Sequence, residues 1–179
     1  IPGSGVNLEQ HPYEEYPSDK ENTRLLFIGR IMKAKGIDEL LEAARQIKVS
    51  YKNVEFHLVG FCEEGYSEEL SELNNSGIIH YHGQQDGVHN FIKDSHATIL
   101  PSYHEGTSNV LLESASTGRP ILASNVTGCK ETFDDGVSGI GFEVKSVKAL
   151  LWDIHQFLEL PHEKKKQIEI AERKKMELK

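Results

Sequence analysis

Short apolar, β-rich runs that stop at a glycine or proline alternate along this chain with longer segments whose apolar residues recur at helical spacing. Residues 24–28 run into Gly29, 53–59 into Gly60, 78–82 into Gly83 and 97–100 into Pro101. Residues 120–124 and 140–144 read as a fifth and a sixth strand. Between them, residues 36–48 carry Ile37, Leu40, Leu41, Ala44 and Ile47 on one helical face. Residues 67–73, 88–94, 109–117 and 147–158, the last with Trp152, read as the other helices. This order is the signature of an α/β domain built on a doubly wound, Rossmann-like parallel sheet. Such sheets bind ligands at the carboxyl ends of their strands, so Gly29, Gly60, Gly83 and Pro101 mark a ligand edge.

At 179 residues the chain is long enough for one well-buried core. A formal net charge of −8 argues against general nucleic-acid affinity. No apolar run approaches the ~20 residues that span a bilayer, and no signal peptide is recognised. Cys62 and Cys129 lie far apart and lack Cys or His partners at zinc spacing, so they are expected to be reduced thiols in a cytoplasmic setting. The chain opens on Ile1 and closes within a charged helical pattern, so it is expected to be a piece of a larger protein. Two units are expected: residues 1–160 as a ligand-binding domain, and residues 161–179 as a basic helical tail. The Lys-rich part, 163–179, holds seven basic residues against four acidic ones. It reads as a solvated helix face or as a helix that packs toward a missing domain. Residues 9–22 are polar and acidic and read as a surface loop.

Glu105 and Glu113 carry most of the chemical information. They flank a Gly106-Thr107-Ser108 turn, with a strand before it and a helix after it. One acid falls in the loop and the other lies within the helix, on the side facing back to the loop. Between them lie the free N–H groups of a helix N-terminus, suited to phosphate. Carboxylates do not bind phosphate, but they accept hydrogen bonds from sugar hydroxyls. A ligand with hydroxyls at both ends and phosphate between them describes a nucleotide-sugar. Arg30 and Lys35 follow the first strand, on the same edge, and suit a diphosphate clamp: a planar fork and a point charge.

These residues together resemble the C-terminal, donor-binding half of GT-B retaining glycosyltransferases, specifically glycosyltransferase family 4. The likeness spans nearly all of the chain. Residues 1–7 resemble the family's interdomain linker, and Leu26-Phe-Ile-Gly-Arg30 with Lys35-Gly36 its phosphate-binding segment. Glu105 through Glu113 is similar to its Glu-x7-Glu motif, followed by Thr117-Gly-Arg-Pro120. Gly128 to Glu131, Asp135-Gly136 and Gly139 resemble its later turns. The resemblance implies that Arg30 and Lys35 hold the diphosphate, helped by backbone N–H groups of Val110 and Leu111 next to Asn109. It implies that Glu113 accepts from the ribose, and that Glu105, with Gly106, Thr107 and Ser108, holds the transferred sugar. The base is expected near Gly83 and Gln84.

The implied chemistry is sugar transfer with retention from a nucleotide-diphosphate donor, a UDP-hexose or UDP-N-acetylhexosamine by family habit. The acceptor would be a glycan or lipid-linked sugar, in bacterial surface polysaccharide (O-antigen or capsule) synthesis. It would be held by a missing N-terminal domain, with peripheral attachment at the inner membrane face. No metal or other cofactor is expected, and no Asp-x-Asp occurs. Donor binding without turnover is the expectation for this piece alone. A GT-B epimerase or phosphorylase and a non-catalytic α/β module are the alternatives. A nicotinamide-dependent dehydrogenase is poorly supported, because Gly3-Ser-Gly5 is followed by Leu8 and preceded by no strand. Three features stand outside the pattern. Gly60-Phe-Cys62 replaces the family's frequent Gly-x-Gly. His104 precedes Glu105, where it either touches the donor or is structural. His80 and His82 share a strand face, where ordinary packing is expected ahead of metal binding.

Overall fold

The computed structural model describes residues 7–18 and 20–177. Of the linker-like segment 1–7, only Asn7 falls among them.

Six strands form one parallel sheet: β1 (Thr23–Ile28), β2 (Val54–Val59), β3 (His80–Tyr81), β4 (Ala97–Leu100), β5 (Ile121–Ser124) and β6 (Gly139–Phe142). Their spatial order is β3-β2-β1-β4-β5-β6, with every neighbouring pair parallel. The chain winds outward from β1 to β3, then returns to β4 on the other side of β1. The order therefore reverses between β1 and β4, and a crevice opens above their carboxyl ends.

β4 and β5 are buried along their whole length, as expected of strands covered on both faces. Leu25 and Phe27 of β1 join the main core with α1 (Ile37–Ser50), α2 (Ser67–Asn75) and α6 (Val147–Glu159). Leu26 and Ile28 point the other way, into a smaller cluster with Val59 and with Ile92 of α3 (His89–Lys93). The face of α1 that the sequence picks out is the buried one, with Ala43 added.

Two details differ from the sequence reading, and a third completes it. The strand expected over residues 78–82 starts only at His80, because the Ile78 and Ile79 N–H groups donate to Leu73 O, at 3.0 and 3.3 Å, in the turn after α2. A four-residue helix, α5 (Thr127–Lys130), lies beyond β5. Trp152 is on the outer face of α6, 65% exposed.

The last helix, α7 (His162–Glu177), packs along α4 (Asn109–Thr117). Lys165, Glu169 and Met176 of α7 are buried there. The described residues of segment 9–22 form no helix or strand, yet they are tied down. Tyr16 is buried, and the Arg119 guanidinium donates to Glu14 O and Glu15 O, both at 3.0 Å.

Candidate functional site

The loop after β1 runs through Arg30 to a 3-10 turn, Lys33–Lys35, and closes at Gly36 in the left-handed region (φ 74°). A Cβ on Gly36 would stand 2.0 Å from Pro101 O, so only glycine allows this loop to lie against the one after β4. Tyr103 N–H seals the contact by donating to Ala34 O at 2.8 Å. The result is an ion pair: Lys35 Nζ lies 2.5 Å from Glu105 Oε1. The buried Ser102 hydroxyl donates to the same oxygen at 2.7 Å. Glu105 is 12% exposed and Lys35 27%, so the pair sits at the mouth of the crevice, partly shielded from water.

A third loop supports the second. A Cβ on Gly128 of α5 would lie 1.8 Å from Gly106 O and 2.4 Å from Glu105 O. Beside it, burial pushes the Cys129 thiol up to about 12, and the nearby Glu105 charge adds to this against a bond to Ser124 and the charge of Lys35. That thiol is protonated and inert at neutral pH.

Ser108 caps α4, its Oγ accepting from Leu111 N–H at 3.3 Å. Of the two amides the sequence offers to a phosphate, that of Leu111 is thus shared with the cap, and the positive end of the helix dipole faces the Glu105 loop. Gly106, Thr107 and Asn109 are exposed around the cap. Glu113 lies one turn further in. Burial holds its carboxyl above the usual range, opposed by His11, whose Nε2 is 3.8 Å away. His11 itself contacts the His89 ring at 5.7 Å, and His89 Nε2 is 3.2 Å from Glu14 Oε1. No spacing rule singled out His11; it belongs to a polar segment remote from the Glu-x7-Glu stretch.

Arg30 turns away from Lys35. Its guanidinium lies over Phe61 at 5.5 Å, with Nε 3.9 Å from Glu63. With Gly29, Gly60, Phe61, Gln84 and Gln85 it lines a cavity of about 490 Å³ above β1, β2 and β3. Gly60 keeps the close approach that this turn needs: a Cβ there would be 1.8 Å from Gly29 O, and its N–H donates to Gly83 O at 2.9 Å. The change from Gly-x-Gly to Gly60-Phe-Cys62 therefore leaves the first glycine's role intact. The structure brings Lys35, Glu105 and Ser102 into contact and places Arg30 and Gln84 in the neighbouring cavity, whereas Gly83 does not line it and reaches it only through the bond its carbonyl accepts from Gly60 N–H. A larger cavity, about 900 Å³, opens between β6 and α6, but no member of the Lys35–Glu105 cluster lines it.

Residues 13–175 match the family model described as glycosyl transferases group 1. The chain belongs to the group 1 glycosyl transferases. This group, glycosyltransferase family 4, transfers sugars with retention, uses nucleotide-sugars and typically needs no metal. The chain is 32% identical over 135 residues to the N,N'-diacetylbacillosaminyl-diphospho-undecaprenol alpha-1,3-N-acetylgalactosaminyltransferase of Campylobacter jejuni, covering 75% of this chain and 35% of that protein. It thus spans about a third of that relative's length. The C-terminal domain of the group 1 protein LpcC from Francisella tularensis superposes with a TM-score of 0.81 at 18% identity, covering 98% of both chains. The Anabaena protein HepE, solved with UDP and glucose, superposes at 0.81 and 19% identity over 97% of this chain and 50% of that one. The fold is therefore the C-terminal half of a GT-B glycosyltransferase. No helix among the described residues is long and apolar enough to cross a membrane.

Proposed function

We propose that this chain is the donor-binding half of a retaining glycosyltransferase that uses a UDP-hexose or UDP-N-acetylhexosamine. The observation that carries this reading is the Lys35–Glu105–Ser102 contact at the sheet's switch point, beside the capped N-terminus of α4. Lys35 neutralises Glu105. An entering diphosphate then shares the Lys35 ammonium and meets the α4 amides of Val110 and Leu111, while Arg30 swings in from Phe61. Both protein bonds to Glu105 fall on Oε1, which leaves Oε2 to accept from sugar hydroxyls. Glu113 accepts from the ribose, Gly106, Thr107, Ser108 and Asn109 surround the sugar and phosphate, and Gln84, next to Gly83, borders the base cavity.

A carboxylate committed to a lysine and a serine is a poor nucleophile, so Glu105 is assigned to binding. The bond from the anomeric carbon to the phosphate oxygen breaks as the acceptor oxygen bonds on the same face. The acceptor's proton passes to the departing phosphate. Positioning and charge stabilisation are the protein's contribution. The lipid-diphosphate acceptor named for the Campylobacter relative supports a lipid-linked acceptor in surface polysaccharide (O-antigen or capsule) synthesis, held by an N-terminal half at the cytoplasmic face of the membrane. The exposed Lys164 and Lys174 of α7 are offered to that half.

The test is product analysis on a two-domain protein containing this chain, with UDP-sugars and a polyprenyl-diphosphate glycan as acceptor. An α-linked product from an α-linked donor, formed without added metal and not by the 179-residue chain alone, is the expected result. An inverted linkage, a free epimerised donor or robust turnover by the isolated chain would overturn the reading.

A further inference from the structure

On β2, Glu55 and His57 point to the same face of the sheet, two residues apart. His57 stands in register with His80, the first residue of edge strand β3. Their rings are 4.7 Å apart and tilted by only 15°. His57 Nε2 lies 2.8 Å from Glu55 Oε1, and its Nδ1 lies 2.8 Å from Nε2 of His82. One ligand atom each from Glu55, His57 and His80 falls within 4.8 Å of the others. The set is two imidazoles and one carboxylate, from two adjacent strands, at the sheet edge where His80 is exposed, with Phe91 of α3 packed against the neighbouring His82 at 4.9 Å.

We propose that Glu55, His57 and His80 bind a divalent transition-metal ion of the zinc class, which clips β3 to β2. Two histidines and a carboxylate, completed by water, are an established donor set for zinc, with metal–ligand distances of about 2.0–2.2 Å. An ion between His57 Nε2 and Glu55 replaces the proton those atoms now share, and needs their separation to open by only about 0.5 Å. The other ring nitrogen of His57 then donates to His82, the outer-sphere hydrogen bond that fixes a ligating imidazole's tautomer. Arg24 competes, its Nε being 3.4 Å from the same Glu55 oxygen, but it is 43% exposed and free to withdraw.

The site takes no part in sugar transfer and does not rest on the donor assignment. Its consequence is mechanical. β3 pairs with β2 at only two registered positions, His57 with His80 and Leu58 with Tyr81. Just beyond, past Gly83, Gln84 and Gln85 line the cavity assigned to the base. An ion joining the strands holds that border in place.

Chelator-stripped 179-residue chain would be titrated with Zn²⁺ by calorimetry and with Co²⁺ by visible absorption. Amide exchange at His82, whose N–H donates to Leu58 O of β2 at 2.9 Å, would be followed with and without Zn²⁺. One ion per chain is expected, with slower exchange at that amide. His80→Asn and Glu55→Gln should each weaken binding roughly tenfold or more and abolish the exchange effect, while His155→Asn leaves both unchanged. His80 is exposed at the sheet edge, so its replacement leaves the fold intact. Failure of the wild-type chain to bind, or binding that His80→Asn and Glu55→Gln leave unchanged, would overturn the proposal.

Discussion

Lys35 and Glu105 are 70 positions apart and meet through one carboxylate oxygen, which also receives the Ser102 hydroxyl. Because that contact already matches charge to charge, removing either member has separable effects. Lys35→Met should cut UDP affinity by about 1.5–3 kcal/mol, the usual range for a hydrogen bond to a charged group. Glu105→Gln should leave UDP affinity within about twofold but lower sugar turnover by a hundredfold or so in the two-domain enzyme. Titration calorimetry and initial rates distinguish the two. The cysteines give a simpler test. Cys129 is fully buried with its thiol pushed up to about 12, whereas Cys62 is partly accessible. An alkylating reagent should label one thiol per native chain and both after unfolding.

At the scale of elements, two glycines hold the site's loops together, and each tolerates no side chain. Gly128→Ala drives a methyl against the carbonyls of Gly106 and Glu105 and should cost about 1–3 kcal/mol of stability. Because the displaced loop carries Glu105, turnover should fall by more than stability explains; denaturant unfolding and rates on the same sample check this. On α6, burial first and the Asp135 charge second push the Asp153 carboxyl up from its ordinary 3.8 to about 6. A carboxyl whose folded value is raised favours the folded state most when protonated. Its contribution is therefore lost as pH rises from about 4 through 6. Asp153→Asn should raise Tm at pH 7.5 by a few degrees, about 2–4 °C, and the gain should vanish toward pH 4, read by thermal melts. The elements with strong periodicity were legible in the sequence: α1, α6 and the fully buried β4 and β5. β3 was legible only as a position, because the turn after α2 claims the amides of Ile78 and Ile79. α5 was not, because four residues containing a glycine carry no helical period.

Across the whole molecule, Arg119 is the fastening that sequence reading left without a role. It is fully buried, and it donates to carbonyls of Glu14, Glu15, Ile92 and Lys93. Its Nη1 is also 4.0 Å from the buried Glu169 carboxylate of α7. One guanidinium thus joins the N-terminal segment, α3 and the C-terminal helix. Arg119→Met should destabilise the chain by about 3–5 kcal/mol, since it strands a buried carboxylate. Arg119→Lys should not restore the loss, because a point charge cannot serve carbonyls on several sides. Denaturant midpoints report both. The candidate site was legible to the extent that local order along the chain encodes it: Arg30, Lys35, Glu105 and Glu113 stand in recognisable stretches. Partners contributed by distant segments were not, as with Gly128 against the Glu105 carbonyl and His11 beside Glu113, and neither was Ser102, whose bond to Glu105 three residues on depends on the turn of their loop. The central claim is that this half alone holds the donor's nucleotide between Lys35 and α4. Calorimetric titration of the chain with UDP, GDP and ADP, repeated on Lys35→Met and Glu113→Ala, tests it most directly. The expected result is UDP binding, weakened roughly tenfold or more in each variant. No affinity for any of the three, or UDP binding that both variants retain in full, would contradict it.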